Sequence, residues 1–416
     1  MDADLVVIGA GALGLSTALH AALLGRRPVV VERHTAGSQA SGRAAGLFKS
    51  VQADELRTWL ARRSIDLALT FPDWAGGELA VTRSGSFLIA RTDQHKAYLQ
   101  TEARQSARWG VDVRAVQPGE LASRLSYFRG DGHEYALWCP EDIYIEEPIS
   151  LIRAYLAAGR LHGVELLESE AVTGVIVSGG RVTGVETTKR SIAAPVVVDA
   201  AGAWTRQVAQ LAGGEVAVAP VRHQLLITEP AEAVSPADPI ARIVDAAIYL
   251  RPARAGLMAG AFEAAPQPLD PRAEASSFST DDVPLDIGVL QAMARQVARE
   301  VPVVSDAVMS NAASDGAAAS AVAEHRGGLF TMTPDGRFVT GPVPDVPGLW
   351  VVSGCNGSGF SSSLAIGEAL AGWICDQDSH VDISALSPGR FGPVTDEALV
   401  KAGVWQYAHY YDPAAS

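Results

Sequence analysis

The stretch DLVVIGAGALGLSTALHAALLGRRPVVVERH, residues 4–34, restricts the fold more than any other part of the sequence. Leu5–Ile8 is a short apolar run of the kind shown by a strand buried on both faces. Residues 12–24 have the length and the small, apolar composition of a packed helix, and Gly25 stands where such a helix stops. Residues 28–32 read as a second strand, so strand, helix and strand fill about thirty residues, the length of one crossover unit. Gly9, Gly11 and Gly14 make G-x-G-x-x-G between the first strand and the helix. Gly9 permits the tight turn, Gly11 lets the backbone approach a pyrophosphate, and Gly14 lets the helix lie close on the sheet. The helix N-terminus then offers unpaired N–H groups and the positive end of its dipole. Glu32 ends the second strand, where a carboxylate can bind a ribose diol and disfavours NADP. The pattern predicts a dinucleotide site.

Three further stretches share this buried style. They are SIAAPVVVDAAGAW (191–204), EEPISLIRAYLAAGRLHGVELL (146–167) and GLWVVSGCNGSGFSSSLAIGEALAGWI (348–374). Others read as strands separated by turns: GSFLIARTD (85–93), VRHQLLITEP (221–230), AAIYLRPARAGLMAGAFE (246–263) and GLFTMTPDGRFVTGP (328–342). These suggest an antiparallel sheet, while the Pro-, Ala- and Asp-rich region 230–284 suggests loops. Because the two styles alternate, we expect a mixed α/β fold (α+β in part) of two domains, each discontinuous in sequence. A Rossmann-like dinucleotide domain would take 1–82, 141–220 and 326–416, and an antiparallel-sheet substrate domain 83–140 and 221–325.

The first motif alone does not separate NAD from FAD, since both carry ADP. The other glycine turns favour FAD. DAAGAW follows a strand, as if the backbone passed a ligand a second time. SGCNGSGFSSS places Gly354, Gly357 and Gly359 before a long helix, whose dipole can stabilise negative charge on a reduced flavin. A cofactor touched near both termini is long and extended.

At this point the sequence resembles a family. Residues 9–32, ASGRAAG (40–46), DAAGAW, IYLRP (248–252) and TPDGRFVTGPVPDVPGLWVVSGCNGSGF (333–360) occur in this order and are similar to the FAD-dependent D-amino acid oxidase superfamily. Within it the sequence resembles glycine oxidase, sarcosine oxidase, dimethylglycine dehydrogenase and D-arginine dehydrogenase. The resemblance implies oxidation of a C–N bond of an amine or amino acid, with hydride transfer to flavin N5 and hydrolysis of the imine. Electrons would pass on to O2 or another acceptor, and no obligatory side-chain base is expected. Candidate cofactor contacts are Gly9, Gly11, Gly14, Glu32 and Arg33, then Ser41, Arg43, Ala44 and Gly46. Val172, Gly202 and Trp204 follow in the middle, and Gly354, Asn356, Gly357, Ser358, Gly359 and Phe360 near the end.

The sequence also differs from the family in places. Arg43 stands where some members attach FAD through a histidine, and Gly328 where sarcosine oxidase uses a cysteine, so FAD is expected to be non-covalent. The arginine that usually grips a substrate carboxylate is replaced by Phe330, and the lysine of sarcosine oxidase by Ser361. Another cation would then serve, with Lys49, Arg222, Arg251 and Arg337 as candidates. Tyr249, in YLRP, is a candidate for orienting the substrate or a core tyrosine. His223 shares a strand face with Leu225 and reads as structural, whereas Arg222 shares the other face with Gln224 and Leu226. Asn356 and Ser358 replace histidines beside the flavin edge.

Composition narrows the setting. The 416 residues carry a formal net charge of −14, which argues against nucleic acid as a partner. The three cysteines are far apart, so neither a disulfide scaffold nor a zinc site is expected. With no long apolar stretch and an acidic N-terminus, we expect a cytoplasmic protein without a transmembrane segment or a metal. Its partners would be a small amine or amino acid, an electron acceptor and, as in several relatives, further subunits. Two other readings stand beside this one: a tailoring oxidase of a biosynthetic pathway acting on a non-amino-acid, and a flavin-binding subunit of a larger dehydrogenase. An aromatic hydroxylase is disfavoured, because its usual D-G pair in the middle of the sequence is not evident.

Overall fold

A computed structural model describes residues 2–117, 119–310, 321–377 and 381–412. Among these, the strands form four sheets. In the six-stranded sheet the order is Val339–Pro342, Leu349–Ser353, Val197–Asp199, Leu5–Ile8, Pro28–Val31 and Glu165–Leu167. All neighbours are parallel except the Val339–Pro342 edge, which runs antiparallel to Leu349–Ser353.

The apolar runs have a simple cause: both faces of this sheet are covered. Leu5 and Val7 pack into a core with the helices Ala12–Leu23, Ile149–Leu161 and Ser363–Ile374. Val6 and Ile8 face the other way, into a core completed by the meander Val172–Ser178, Arg181–Thr187 and Ser191–Ala193. Small residues then set the distances. Gly9 has φ +106°, and a Cβ there would lie 2.6 Å from the carbonyl oxygen of Ala200. A Cβ on Gly14 would lie 2.1 Å from the carbonyl oxygen of Gly9. The first helix can therefore start only against the turn that leads into it.

The eight-stranded sheet has the order Val322–Met332, Ala219–Thr228, Gly256–Ala261, Ile248–Ala253, Ile240–Ile243, Ser86–Ala90, Tyr135–Cys139 and Arg114–Ala115. One face packs on the helices Ile287–Gln296 and Pro302–Ser310, through Leu226, Leu250 and Leu257 against Leu290, Met293 and Val304. The backbone crosses repeatedly between the two large sheets. The short ribbon Leu47–Phe48 with Ile143–Tyr144 forms at one of these crossings.

Two expectations need correction. Val339–Pro342 does not continue the antiparallel sheet. It returns as a hairpin neighbour of Leu349–Ser353, closed by the bond from Val343 N–H to the Leu349 carbonyl (2.9 Å). Ile240–Ile243, in a region read as loops, is a buried strand parallel to Ser86–Ala90, so this sheet is not wholly antiparallel. The strand is too short, and too close to prolines, to show a period.

Gly14→Ala should lower the melting temperature and cost roughly 1–3 kcal/mol, because the added methyl meets backbone that cannot move aside. Thermal and urea unfolding of the variant would show this, and an unchanged midpoint would contradict the close approach.

Candidate functional site

A cavity of about 450 Å3 runs between the two large sheets. One end is built from the glycine turn. Gly9, Gly11, Glu32 and Arg33 line it, and Gly11 supplies no capping group to the helix that begins at Ala12. The first-turn amide of Ala12 donates to Ser41 Oγ at 3.0 Å. Glu32 is buried, and its two carboxylate oxygens accept from Ala10 N–H (2.9 Å) and His34 N–H (2.8 Å). Those bonds hold the carboxylate in place and leave each oxygen a further lone pair for a ligand. Among the described residues that line the cavity, Glu32 is the sole carboxylate, against the cations Arg33, Arg43, Lys49, Arg242 and Arg326.

The middle is lined by Ser41, Arg43, Ala44 and Gly46 on one side and by Val172, Gly202 and Trp204 on the other. Arg33 lies over the Trp204 ring, 4.7 Å from its centroid. Arg43 is an ion-pair partner of Asp281. From the C-terminal loop, Gly357, Ser358, Gly359 and Phe360 reach the wall. Gly357 has φ +85°, and a Cβ there would lie 2.9 Å from the Phe330 ring, so the loop and the sheet touch only because the residue is glycine.

The far end is a sheet face. Cross-strand register places Leu225 opposite Gly260, Gly260 opposite Tyr249, and Tyr249 opposite Arg242, in one row on one face. A neighbouring row holds His223 opposite Gly328. Gly260 leaves room for the Tyr249 ring, whose hydroxyl would sit 2.1 Å from a Cβ at that position. Tyr249 Oη thereby reaches His223 Nε2 at 2.8 Å, and His223 Nδ1 meets Tyr407 Oη at 2.6 Å. His223 also stacks on Phe330, with centroids 4.2 Å apart. Phe262 stacks on Tyr410 at 4.0 Å, and Tyr411 stands edge-on to Phe262. Burial drives the His223 imidazole down to about 3, so it is neutral, with one nitrogen donating and the other accepting.

The structure brings most of the sequence candidates together, but not all. Gly14 lies behind the wall and positions the helix. Gly354 and Asn356 are also outside the lining. Asn356 Oδ1 accepts from Thr333 N–H (2.9 Å), and its Nδ2 donates to the Gly354 carbonyl (2.6 Å), tying the loop to the T-P-D turn. Arg222, a candidate substrate cation, points to the opposite face and pairs with buried Glu263 at 2.9 Å. Arg251 is wholly buried, with its donors on the carbonyls of Ala45, Glu146 and Pro252. Arg337 pairs with Asp54 at 3.2 Å and lies outside the cavity. Of the four, Lys49 alone lines it. Sequence reasoning missed Arg242, Phe262, Tyr410 and Tyr411 altogether. His223, expected to be structural, is on the lining. Alternation on the strand had placed His223 on the face of Leu225, and that signal was correct.

Residues 4–373 match the family model described as FAD dependent oxidoreductase, DAO. The protein belongs to the FAD dependent oxidoreductase family. It is 26% identical to mitochondrial sarcosine dehydrogenase of Mus musculus over 94% of its own length, yet spans only 41% of that relative. It is 29% identical to glycine oxidase of Pseudomonas aeruginosa, covering 93% of its own length and 99% of the other. Its fold matches L-proline dehydrogenase from P. horikoshii with TM-score 0.81 and 21% identity, over 94% of its own length and 98% of that structure.

The residues present fit the cofactor of this FAD dependent family. A helix N-terminus with no N-cap side chain, bare backbone at Gly9 and Gly11 on the wall, a fixed carboxylate and an excess of cations suit a dinucleotide diphosphate. No helix among the described residues is long and apolar enough to cross a membrane, and the described residues contain no cluster of three or more His, Cys, Asp or Glu placed to hold a metal ion.

The buried imidazoles set a pH dependence. Burial lowers His223 to about 3 and His20 to about 4 in the folded protein. Unfolded, each binds a proton near 6.5, so below that pH the unfolded state holds more protons. Stability present above about pH 6.5 is therefore lost as pH falls toward the folded values. The urea midpoint should drop between about pH 7.5 and about pH 5, and His223→Phe should flatten that slope. An equally steep slope in the variant would mean that His223 contributes nothing to it.

Proposed function

We propose that this protein oxidises the C–N bond of a small amine or amino acid to an imine, which water then hydrolyses. The observation that carries this reading is the continuity of the cavity. The nucleotide end at Glu32 opens without a break onto an aromatic and cationic end at Phe330, Tyr249, Phe262 and Lys49. The relatives point the same way, since sarcosine and glycine, named in two of them, are small amino acids.

In this reading Glu32 takes the ribose hydroxyls, and the first-turn amides beside Ser41 take the pyrophosphate. Arg33, Arg43, Ala44, Gly46, Val172, Gly202 and Trp204 flank the extended cofactor. Gly357, Ser358, Gly359 and Phe360 bring the loop before helix Ser363–Ile374 to its reactive end. FAD, when bound, would supply the hydride acceptor for the carbon next to nitrogen. The protein's part is to position the substrate and exclude water. Tyr249, held by neutral His223, offers an oriented hydroxyl, and Phe330 and Phe262 present apolar faces. His223 is committed to two tyrosines, and no described residue at the far end is a carboxylate, so the amine enters already neutral. Electrons leave to O2 or another acceptor. We further propose that the two large sheets correspond to a cofactor domain and a substrate domain, and that the protein works in the cytoplasm, where its three free cysteines stay reduced.

Anaerobic mixing of the FAD-loaded protein with D- and L-amino acids, N-methyl amino acids and cyclic amines should bleach the flavin's visible absorbance with at least one of them. Full retention of colour with every member of the panel would overturn the reading.

In the same reading FAD is held without a covalent bond. Arg43 and Gly328 both line the cavity and neither can form a stable bond to the flavin. Heat-denatured protein should therefore release a yellow supernatant over a colourless pellet, and a yellow pellet would refute this.

A further inference from the structure

The family's usual carboxylate-binding residues are missing at Phe330 and Ser361, and three of the four cations named from the sequence point elsewhere. The cavity nevertheless contains a cation that the sequence did not single out. Arg242 lies on the short strand Ile240–Ile243, directly across from Tyr249, on the same sheet face. Its Nη1 donates to Asp142 Oδ2 at 3.0 Å and to Ser86 Oγ at 2.9 Å. Asp142 is itself fully buried and saturated. Its Oδ1 accepts from Ser50 N–H (2.8 Å) and Ser50 Oγ (2.6 Å), and its Oδ2 also accepts from Ser86 Oγ (2.6 Å). The guanidinium is thus fixed at one nitrogen. A guanidinium has five N–H donors. Nη2 and Nε of Arg242 have no protein acceptor among the described residues and are not sealed off, so they open on the cavity.

Lys49 precedes Ser50, so the Asp142 platform that anchors the guanidinium also anchors the lysine's backbone. Its Nζ stands over the Tyr411 ring, 5.8 Å from the centroid. Burial raises the Tyr411 hydroxyl, partly opposed by the nearby charge of Arg242, which places both cations around one ring. Lys49 forms no ion pair among the described residues; Glu32 is the sole acid lining the main cavity, and Glu102, Asp335 and Asp412 line an adjoining pocket that Lys49 also borders. Asp142 offsets the charge of Arg242, while the remaining guanidinium donors and the Lys49 ammonium are free to take up an anion together. We propose that Arg242, with Lys49 beside it, is the anion clamp of this site and holds the carboxylate of the substrate while Tyr249 and Phe330 enclose its carbon skeleton. The proposal rests on the amine-oxidising reading above and assigns its substrate class as amino acids rather than simple amines.

The test uses the FAD-loaded protein and ligands that cannot be oxidised at a C–N bond: acetate, propionate and butyrate, with their uncharged amides as controls. Binding is followed by calorimetry and by perturbation of the flavin spectrum. The native protein should bind at least one carboxylate and discriminate against its amide. Lys49→Met should weaken that carboxylate by about tenfold or more, and Arg242→Lys, which keeps a charge on Asp142 but loses the fork, by a similar factor. FAD content should match the native protein, and amide binding should not change. If Arg242→Lys does not fold, Lys49→Met decides. Affinity within about twofold of native in the folded variants, or no carboxylate binding by the native protein, overturns the proposal. The two readings fail separately. Carboxylate binding lost in the variants, with no amine bleaching the flavin, keeps the clamp and removes the oxidation. Amines that bleach the flavin while carboxylates do not bind remove the clamp alone.

Discussion

The close approach of the first helix to the turn at Gly9 governs the remainder of the molecule. Without a Cβ at Gly9 and Gly14, the helix Ala12–Leu23 starts within contact distance of the sheet and of Ala200. Its N-terminus therefore opens into the space between the sheets, with no residue of its own capping it. The same geometry brings Glu32 beneath the turn, where Ala10 N–H fixes its carboxylate. Helix dipole, first-turn amides and carboxylate converge because these two glycines permit it.

A second constraint acts at the opposite end. Period-two alternation and strand pairing determine which residues share a face, and a shift by one residue would exchange them all. The observed register gathers His223, Tyr249 and Arg242 on the cavity side and sends Arg222 to the other. Glycines again set the fit, Gly260 under Tyr249 and Gly357 against Phe330. The C-terminal segment then closes the space with Tyr407, Tyr410 and Tyr411.

Much of this is legible in the sequence. The crossover unit at residues 4–34 carries its own signals: buried runs, glycines at fixed spacing and a terminal acid. The strand alternation places His223 and Arg222 on different faces, and the structure shows them so. Other features leave no local trace. Ile240–Ile243 is four residues long, and its arginine looks like an ordinary charge in a loop-rich region. Arg251 resembles a substrate cation from its place in YLRP, yet its donors are spent on three backbone carbonyls, two of them supplied by distant segments. Asn356 stands in a loop that the sequence suggests for the flavin, but its left-handed backbone turns the amide toward Thr333. In each case the deciding partner lies far away along the backbone.

Sequence alone determined the dinucleotide end, because a glycine turn, a helix start and a strand-end acid are all set within about thirty residues by local backbone geometry. It also determined the family, through glycine turns spread from one end of the protein to the other. Tertiary structure alone decided which cations face the cavity. A guanidinium reads the same in sequence whether it meets Glu263, three carbonyls or an open cavity. Only pairing between distant strands, and the buried Asp142 that holds Arg242 by one nitrogen, separates these fates.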